Sequence, residues 1–438
     1  MLRNKLFYVI IQYYDKKGAD VMKIITLSEK EFDEFSRNHK YKSLYQTSNY
    51  AKTMKIEGFD YHYLGFVNNS NELIGATLLI YKQIFFTYKY AYAPYGFLID
   101  YTNHDLVEEL TRKLKRLLIK QKFIYIKLNP LIHCAERKKD GKIISYNPEI
   151  NDILEILKCN GYVHHGFNKY FENYNPRWTA ISKLTSPNDK LYYMLSKQVR
   201  NKISKATRYG IDIYKGNHED LELLYEFIKR KSNKPLNYYQ TLLENYKDDA
   251  EIYLAYINPN KFVKYSQELY EKELSKNELC NQKLQEKSGK GKDITRVINQ
   301  KMESDKKLSI YQTNLLKSTQ IFQEHPEGII VGGGIIIKYD KGINLTIEGF
   351  NKEYKDFNSN YLLKWEIIKK FNNEGYTYFN LNGITGEFDE KNKYSGLNEM
   401  KLGYNASAIE YIGEFDLIIN NTVYNIYKNK MEKSGKKI

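Results

Sequence analysis

Lys401 is a candidate for acyl-transfer chemistry because of the residues on either side of it. It follows Met400 and precedes Leu402 within the segment Tyr394–Tyr404. Apolar neighbours can shelter a lysine stem while the ammonium reaches a site where an oxyanion develops. The same pattern also fits a surface lysine that extends its charged end into water. The segment therefore offers an oxyanion-stabilising cation without deciding between these two interpretations.

Asp100 is a second candidate, at the end of the segment Tyr92–Asp100. Pro94 and Gly96 predict a turn after a strand, and the carboxylate follows an apolar triplet. Asp100 could position a substrate amine, or it could cap the helix that is expected to begin near His104.

A basic helix is predicted over residues 197–209, ending at Gly210. At 3.6 residues per turn, Lys197, Arg200 and Arg208 fall within an arc of about 80°. Guanidinium groups bind phosphate in a forked geometry, so Arg200 and Arg208 are candidate phosphate ligands. A solvated basic face is the alternative.

Metal and cofactor motifs are missing from the sequence. Cys134, Cys159 and Cys280 lie far apart without CxxC spacing, which argues against a zinc site and favours a reducing compartment. The adjacent pair His164 and His165 is poorly placed to bind one metal. No GxSxG motif, P-loop or dinucleotide fingerprint is present, so we expect neither a metal nor a cofactor.

Composition and charge restrict the class of protein. The 438 residues include 42% hydrophobic and 28% charged residues, which is typical of a globular chain. The longest apolar runs are too short to span a membrane, and residues 1–21 resemble an upstream extension more than a signal peptide. We therefore expect a cytoplasmic protein. A net charge of +15 favours a polyanionic partner, although lysine drift in an AT-rich genome would also produce it.

Two segments share the order strand, strand, helix, strand. The first comprises Leu73–Lys82, Lys89–Pro94, His104–Lys120 and Phe123–Pro130, and the second comprises Ile329–Lys338, Ile343–Glu348, Ser359–Asn373 and Tyr376–Gly383. Such alternation predicts a duplicated α/β module, and the β-β-α-β order is that of GNAT-type acyltransferases. Near the N-terminus, Ser28 and Glu31 form a capping-box pattern.

The segment 260–325 differs from both modules. It is rich in Lys, Glu and Gln, and Ile294, Leu308, Leu315 and Phe322 share one heptad phase. A break at 288–291 divides it into two halves. We predict an antiparallel helical hairpin that projects from the body as a coiled-coil arm, or a plain two-helix insertion.

In combination, these motifs resemble the Fem family of peptidoglycan branching-peptide aminoacyltransferases, the FemA, FemB, FemX and MurM type. The resemblance runs from about Met22 to the end of the chain. The matching segments are Gln46–Lys55, Tyr92–Asp100, Asn175–Thr179, Arg200–Gly210, Tyr361–Ile368, Asn382–Ile384, Tyr394–Lys401 and Glu410–Glu414.

The resemblance implies a fold of two tandem GNAT-like domains with the helical arm inserted. The first would cover residues 22–168 and be completed by about 411–430. The second would cover 169–410, interrupted by the arm at 260–325.

The resemblance also implies residue roles. Lys401 corresponds to a lysine near the tRNA terminus, and Asp100 and Glu414 to carboxylates of the substrate channel. Lys55 and one of the two arginines correspond to precursor-binding groups. Two positions depart from the family pattern: Tyr50 stands where Trp is frequent, and Met400 where Phe is frequent. Both put local stacking in doubt, not the fold.

The expected function is therefore a cofactor-free transfer of an amino acid from aminoacyl-tRNA to the stem-peptide side-chain amine of a peptidoglycan precursor. The precursor would be lipid-linked or UDP-linked. Contact with the inner membrane face and homo-oligomerisation are compatible with this function. The alternatives are a tRNA-dependent transferase of the same fold acting on protein or lipid, and a non-catalytic RNA-binding protein.

Overall fold

The computed structural model describes residues 22–85, 87–172, 174–288 and 293–433. The expected extension at residues 1–21 lies outside the described residues. The elements of the first part of the chain, in order, are β1 (Met22–Thr26), α1 (Glu29–Asn38), α2 (Ser48–Met54), β2 (Asp60–Asn68), β3 (Leu73–Phe85), β4 (Tyr88–Ala93), α3 (His104–Lys120), β5 (Phe123–Leu128), β6 (His133–Arg137), β7 (Ile143–Tyr146), α4 (Ile150–Cys159) and β8 (Tyr162–His164).

The rest of the chain carries the second module and the two longest helices. Its elements are β9 (Trp178–Lys183), α5 (Asn188–Met194), α6 (Lys197–Arg208), β10 (Ile211–Lys215), α7 (Asp220–Ile228), α8 (Leu236–Tyr246), β11 (Ala250–Ile257), α9 (Pro259–Ser288), α10 (Thr295–Glu324), β12 (Ile329–Tyr339), β13 (Gly342–Phe350), α11 (Ser359–Asn373), β14 (Tyr378–Gly383), α12 (Ser395–Leu402), β15 (Ala406–Tyr411), β16 (Phe415–Ile418) and α13 (Asn421–Lys433). Short 3-10 turns occur at Lys247–Asp249 and Lys352–Phe357.

Local sequence signals account for several helix boundaries. The Ser28 hydroxyl accepts a hydrogen bond from the Glu31 backbone at 3.3 Å, and Glu31 accepts one from the Ser28 backbone at 2.8 Å. This reciprocal pair is the predicted capping box. Helices α3 and α11 begin and end at the residues that the apolar spacing predicts.

The two modules build two mixed sheets with matching parallel pairs. The first sheet has the strand order β1-β2-β3-β4-β5-β16-β8, and the second has the order β10-β11-β12-β13-β14-β9-β15-β6-β7. Strand β4 is parallel to β5 across α3, and β13 is parallel to β14 across α11. The predicted strand, strand, helix, strand repeat is therefore present in both sheets.

The sheets also exchange strands between distant parts of the chain. Strand β16 lies between β5 and β8 in the first sheet, as expected for a C-terminal segment that returns to it. Strands β6 and β7 belong to the second sheet, because β6 pairs with β15. The predicted domain boundary near residue 168 therefore does not coincide with the division between the two sheets, because β6 and β7 precede it in the chain. The division into domains stays a prediction.

The arm consists of the antiparallel helices α9 and α10, which pack along each other. Its buried seam differs from the predicted one. On α10 the buried positions are Val297, Ser304, Ser318 and Ile321, whereas Phe322 is 40% exposed. Ile294, Leu308 and Leu315 lie half-buried along the seam's edge. At the centre of the arm, Ser304 is fully buried, whereas Leu308 of the predicted phase is only half-buried.

Three large apolar cores support this arrangement. One lies beneath each sheet, and a third joins side chains of β2 and β3 to those of α7, α8, β11 and β12. Tyr246 of α8 also donates a hydrogen bond to the Leu44 carbonyl at 3.0 Å. The two sheets are thus packed together through a shared core. Within the described ranges, no helix is both long and apolar enough to cross a membrane.

Candidate active site

Lys401 lies where two parallel strands separate. Strands β13 and β14 pair only from Gly342 to Asn344 and from Tyr378 to Asn380. Beyond this point they diverge, and Lys401 of α12 donates a hydrogen bond to the Gly383 carbonyl at the end of β14 at 2.8 Å. The divergence leaves backbone groups at the strand ends that a ligand can approach.

The charge of Lys401 is set by burial and by an ion pair beside it. Burial lowers the pKa of Lys401 to about 8, while the Glu348 carboxylate opposes that shift. Glu348 of β13 is paired with Lys364 of α11, whose side chain is fully buried. We call Lys401, Glu348 and Lys364 the lysine cluster.

Glu348 stays ionised in this cluster. Burial alone would raise the pKa of Glu348, but attraction to Lys364 and Lys401 outweighs it and leaves the pKa below its ordinary value. Burial lowers the pKa of Lys364 in turn. The ammonium of Lys401 is therefore held beside a carboxylate that a second lysine already neutralises in part.

A second buried group of charges lies at the corresponding place in the first sheet. Lys127 of β5 and Asp416 of β16 stand directly opposite each other, with Nζ and Oδ1 2.9 Å apart. His165 lies 3.0 Å from the other oxygen of Asp416, and Tyr424 donates a hydrogen bond to that oxygen at 2.8 Å. Asp416 thus interacts with Lys127, His165 and Tyr424. Burial alone would raise the pKa of Asp416, but His165 and Lys127 outweigh burial and leave the pKa below its ordinary value.

Glu414 and Glu172 complete what we call the carboxylate cluster, with Lys127, His165 and Asp416. Glu414 is 4% exposed, and its Oε2 lies 3.8 Å from Lys127 Nζ. Glu172 accepts one hydrogen bond from Asn168 at 3.1 Å. Oε1 of Glu414 and Oε2 of Glu172 are buried without a hydrogen-bond partner among the described residues.

Desolvation sets the protonation of both glutamates. Burial raises the pKa of Glu172 to about 7, and the negative charge of Glu414 adds to this shift. Burial also raises the pKa of Glu414, although Lys127 and His165 counteract it. A carboxyl group with a pKa near neutrality can exchange protons under physiological conditions.

Tyrosine rings line the approach to Glu414. The rings of Tyr92 and Tyr174 are 4.2 Å apart, and Asn175 donates a hydrogen bond to the Tyr92 hydroxyl at 2.8 Å. Tyr45 contacts both Tyr50 and Tyr95 edge-on, at 5.1 and 5.2 Å between ring centroids. Aromatic faces next to carboxylates favour cationic groups.

Residues 165–172 and 174–177, which we call the connecting loop, contribute to the carboxylate cluster and pass beside Gly383 at the end of β14. It supplies His165 and Glu172 to the carboxylate cluster. A side chain added at Gly383 would meet Pro176 at 3.0 Å and Phe171 at 3.7 Å, so the loop passes close to the residue whose carbonyl Lys401 contacts. Phe171 and Tyr174 are 48% and 37% exposed, so the carboxylates lie just beneath the surface.

Glu414 therefore lies near the start of the connecting loop, and the Gly383 carbonyl that Lys401 contacts lies near its end.

Asp100 lies apart from both clusters, in the turn before α3. The Asp100 carboxylate is about half exposed and accepts hydrogen bonds from the Thr102 backbone at 3.1 Å and hydroxyl at 2.7 Å. It also lies 3.5 Å from Lys40. Helix α3 is capped by Asn103, so the expectation that Asp100 caps it is wrong. Asp100 closes the turn before the cap.

The expected binding residues are spread over three elements. Lys55 is exposed at the end of α2, with its ammonium 5.1 Å from the centre of the Tyr61 ring. Tyr50 is half-buried in the tyrosine-lined region, and Met400 is half-buried on α12 beside Lys401.

The two arginines of α6 differ in their surroundings. Arg200 donates a hydrogen bond to the Tyr193 carbonyl at 2.7 Å, which turns its guanidinium toward the end of the preceding helix α5. Arg208 is exposed near the end of the helix. Of the two, Arg208 is more accessible to a phosphate group.

Sequence reasoning missed several charged residues of the two clusters. Lys127 interrupts the apolar strand Phe123–Leu128, and Lys364 interrupts the apolar face of α11. A lysine within an apolar run is the signal that could have identified both, since a buried charge requires a partner. Glu172 carries no such signal, because it lies in a loop among polar and aromatic residues.

A further ion pair network lies next to the connecting loop. Glu410 of β15 accepts hydrogen bonds from Arg177 at 2.6 Å and from Arg137 of β6 at 2.8 Å. Arg177 is 2% exposed, and it also donates to the Asn168 carbonyl at 2.9 Å. The network fixes the loop onto the second sheet.

In the described part of the chain, no group of three or more His, Cys, Asp or Glu side chains is arranged to hold a metal ion.

Comparison with known proteins covers almost the whole chain. A family model described as the FemAB family matches residues 27–431. Aminoacyltransferase FemA of Staphylococcus epidermidis is 28% identical over 416 residues, which span 93% of this chain and 98% of that protein. Aminoacyltransferase FemA of Staphylococcus aureus is 27% identical over 415 residues, spanning 93% and 97%.

The crystal structure of FemX has the same fold. It aligns with a TM-score of 0.69 and 21% identity, covering 92% of this chain and 99% of that one. The predicted fold class, an α/β protein with two tandem GNAT-like modules and an inserted helical arm, is confirmed.

Proposed function

Because the chain belongs to the FemAB family and is an aminoacyltransferase, we propose that it transfers an amino acid from aminoacyl-tRNA to a peptidoglycan precursor. The acceptor is the side-chain amine of the third stem-peptide residue. Fem-type aminoacyl transfer in peptidoglycan bridge formation is the general activity. The tRNA donor and the stem-peptide acceptor are the specific parts of this proposal.

The position of Lys401 carries the proposal. An aminoacyl ester is already activated, so its aminolysis requires an attacking amine and stabilisation of the anionic tetrahedral species. Lys401 places a cation at the divergence of β13 and β14, beside the Gly383 carbonyl. This is the charge that the second requirement calls for, and Met400 flanks the same site.

The remaining candidates receive binding roles in this proposal. Lys55 and Tyr50 contact the precursor, and Arg208 or Arg200 contacts phosphate. Glu414 serves the acceptor amine, and Asp100 lies at the outer part of the channel. The net charge of +15 supports a polyanionic donor such as tRNA. The reaction calls for no cofactor, and contact with the inner membrane face would bring a lipid-linked precursor within reach.

The test is a transfer assay with the whole protein. It would be incubated with a mixture of charged tRNAs and, separately, with lipid-linked and UDP-linked precursor. Mass spectrometry of the precursor should show the addition of one aminoacyl residue. Uncharged tRNA, and a precursor whose side-chain amine is acetylated, are the controls that should give no addition.

Two results would contradict the proposal. Transfer to a protein or lipid but not to either precursor would identify a different acceptor. Binding of tRNA regardless of its charging, with no transfer to any acceptor, would favour a non-catalytic RNA-binding protein.

A further inference from the structure

The carboxylate cluster and the adjoining ion pair network contain more carboxylates than lysine and arginine side chains. The cations within it and in the adjoining ion pair network are Lys127, Arg137 and Arg177, and the anions are Glu172, Glu410, Glu414 and Asp416. Four carboxylates therefore share three lysine and arginine cations, and His165 lies beside Asp416 as a further titratable group. Buried charges require partners, so the cluster needs either a proton or a cationic ligand.

The orphaned oxygens show where that charge is missing. Asp416 Oδ1 also lacks a hydrogen bond, but it lies 2.9 Å from Lys127 Nζ, and Asp416 Oδ2 contacts His165 and Tyr424. Glu410 is paired with two arginines. Glu172 and Glu414, in contrast, each present one buried oxygen without a hydrogen-bond donor. Each of these two carboxylates also acts on the other electrostatically. A donor with several N–H groups would satisfy both oxygens at once.

The surroundings fit an ammonium group. Tyr92 and Tyr174 lie near Glu414 with their rings tilted by 32°, and the backbone N–H of Tyr174 donates to the Glu414 carboxylate. Aromatic faces combined with carboxylates attract alkylammonium ions. Phe171 and Tyr174, on either side of Glu172 in the connecting loop, are 48% and 37% exposed, so the part of the loop that carries Glu172 lies at the surface.

We propose that Glu172 and Glu414 together bind the ammonium of the acceptor, and that Glu172 takes its proton. This inference rests on the proposed function and adds to it a base that the sequence does not reveal. Without acceptor, Glu172 carries the proton that balances the cluster. When the ammonium enters, Glu172 releases that proton to solvent and pairs with the ligand.

The proton balance of the transfer then closes. The ammonium gives one proton to Glu172, and the neutral nitrogen forms a bond to the ester carbon. Collapse of the tetrahedral species breaks the bond from carbon to the ribose oxygen, and that oxygen receives the second proton from nitrogen. Product release leaves the protonated Glu172, which is its resting state.

The first test is kinetic and uses Glu172→Gln, which keeps the shape and removes the base. We expect kcat to fall by about 10²-fold or more, as is typical for loss of a general base. The wild-type enzyme should lose activity as the pH falls through about 7, and the variant should lack this dependence. Glu387→Gln, which breaks a surface pair with Lys169 of the same loop, is the matched control and should keep both rate and profile.

The second test measures binding. The probes are a stem peptide whose third residue carries a free side-chain amine and the same peptide with that amine acetylated. Wild-type protein should bind the free amine more tightly, and Glu172→Gln should lose at least part of this difference. Glu172→Asp keeps the charge and should retain a preference for the free amine.

The third test does not depend on activity. The pKa of Glu172 is raised in the folded state, so the folded protein holds a proton that the unfolded chain releases above about pH 4.5. Wild-type stability should therefore decline between pH 4.5 and 7, and Glu172→Gln should decline less.

These results separate the inference from the proposed function. If the wild-type enzyme transfers an aminoacyl group but Glu172→Gln keeps its rate, pH profile and amine preference, Glu172 is structural and the inference is overturned. If wild-type protein shows no transfer at all while its stability follows the expected pH course, the proposed function fails and only the titration of Glu172 remains.

Discussion

At the scale of single residues, Lys401 has a charge that its surroundings disfavour. Burial lowers the pKa of Lys401 to about 8. The Lys401 side chain is therefore charged at neutral pH and loses its charge as the pH rises above about 8. Lys401→Met keeps most of the stem volume and removes the charge. We expect kcat to fall by about 10²–10³-fold, equivalent to ~2.7–4 kcal/mol, while precursor binding persists.

Thermal stability provides the control for this prediction. Folding disfavours the charged form of Lys401, because its folded pKa lies below the ordinary value near 10.5. Removing the charge should therefore leave the melting temperature at neutral pH unchanged or higher. The exposed Lys391, changed to Met, should affect neither property. Near-normal kcat in Lys401→Met would remove the lysine from the mechanism.

Lys364 gives a second prediction at this scale, since it shares Glu348 with Lys401. Lys364→Met should free Glu348 to act on Lys401, raising the pKa of Lys401 and moving the alkaline decline of kcat to higher pH. It should also lower the free energy of unfolding by about 3–5 kcal/mol, because Glu348 loses its buried partner. An unchanged alkaline limb with lowered stability would make Lys364 structural only.

At the scale of elements, α6 presents Arg208 to solvent and turns Arg200 toward Tyr193. Arg208→Ala should raise the KM for tRNA or precursor. The increase should correspond to a loss of about 1.5–3 kcal/mol in binding free energy, which is typical of a hydrogen bond to a charged group. Arg200→Ala should have a smaller effect if its carbonyl contact persists in the complex. Lys205→Ala, on another face of the helix, is the control. Unchanged KM in both arginine variants would indicate a solvated basic face.

The arm gives a prediction about where it can be cut. Phe262 and Ile321 belong to the core of the second module, and Phe262 contacts Phe357 at 5.0 Å between ring centroids. Replacing 267–317 with a short Gly-Ser link should leave the body folded and weaken tRNA use. Replacing 260–325 should also lower the melting temperature, because it removes both core side chains. Equal stability of the two variants would contradict this assignment.

The sequence predicts elements better than it predicts their partners. Helices α3 and α11 follow from apolar periodicity and caps, which are local properties. Strands β6 and β7 escaped prediction because Ile143 and Tyr146 are exposed and the pairing of β6 with β15 spans more than half the chain. The neighbours of Lys401 make it a candidate, but they also fit a surface lysine, and its catalytic role stays a prediction from the family resemblance. Glu172 was not recognisable from the sequence, since its burial depends on the loop and on β16 together.

At the scale of the whole molecule, the exchanged strands and the shared core predict one cooperative unfolding transition. Glu410 joins β15 to Arg137 of β6 and to Arg177. Glu410→Gln should lower the stability of the entire protein by about 3–5 kcal/mol, because two largely buried guanidinium groups lose their partner. Calorimetry should still show a single peak. The surface change Glu387→Gln should cost less than about 1 kcal/mol, and two separate peaks would contradict shared cooperativity.

The place of β16 in the first sheet also governs the order of events during synthesis. The strand that fills the gap between β5 and β8 follows β8 by about 250 residues. At about 5–20 residues per second, the ribosome needs about 12–50 s to supply it. Throughout that time the facing edges of β5 and β8 in the nascent first sheet have no strand between them, and Lys127 has not yet met its partner Asp416. A cell that makes this protein must therefore prevent these unpaired edges from pairing with a strand of another chain until β16 has been synthesised.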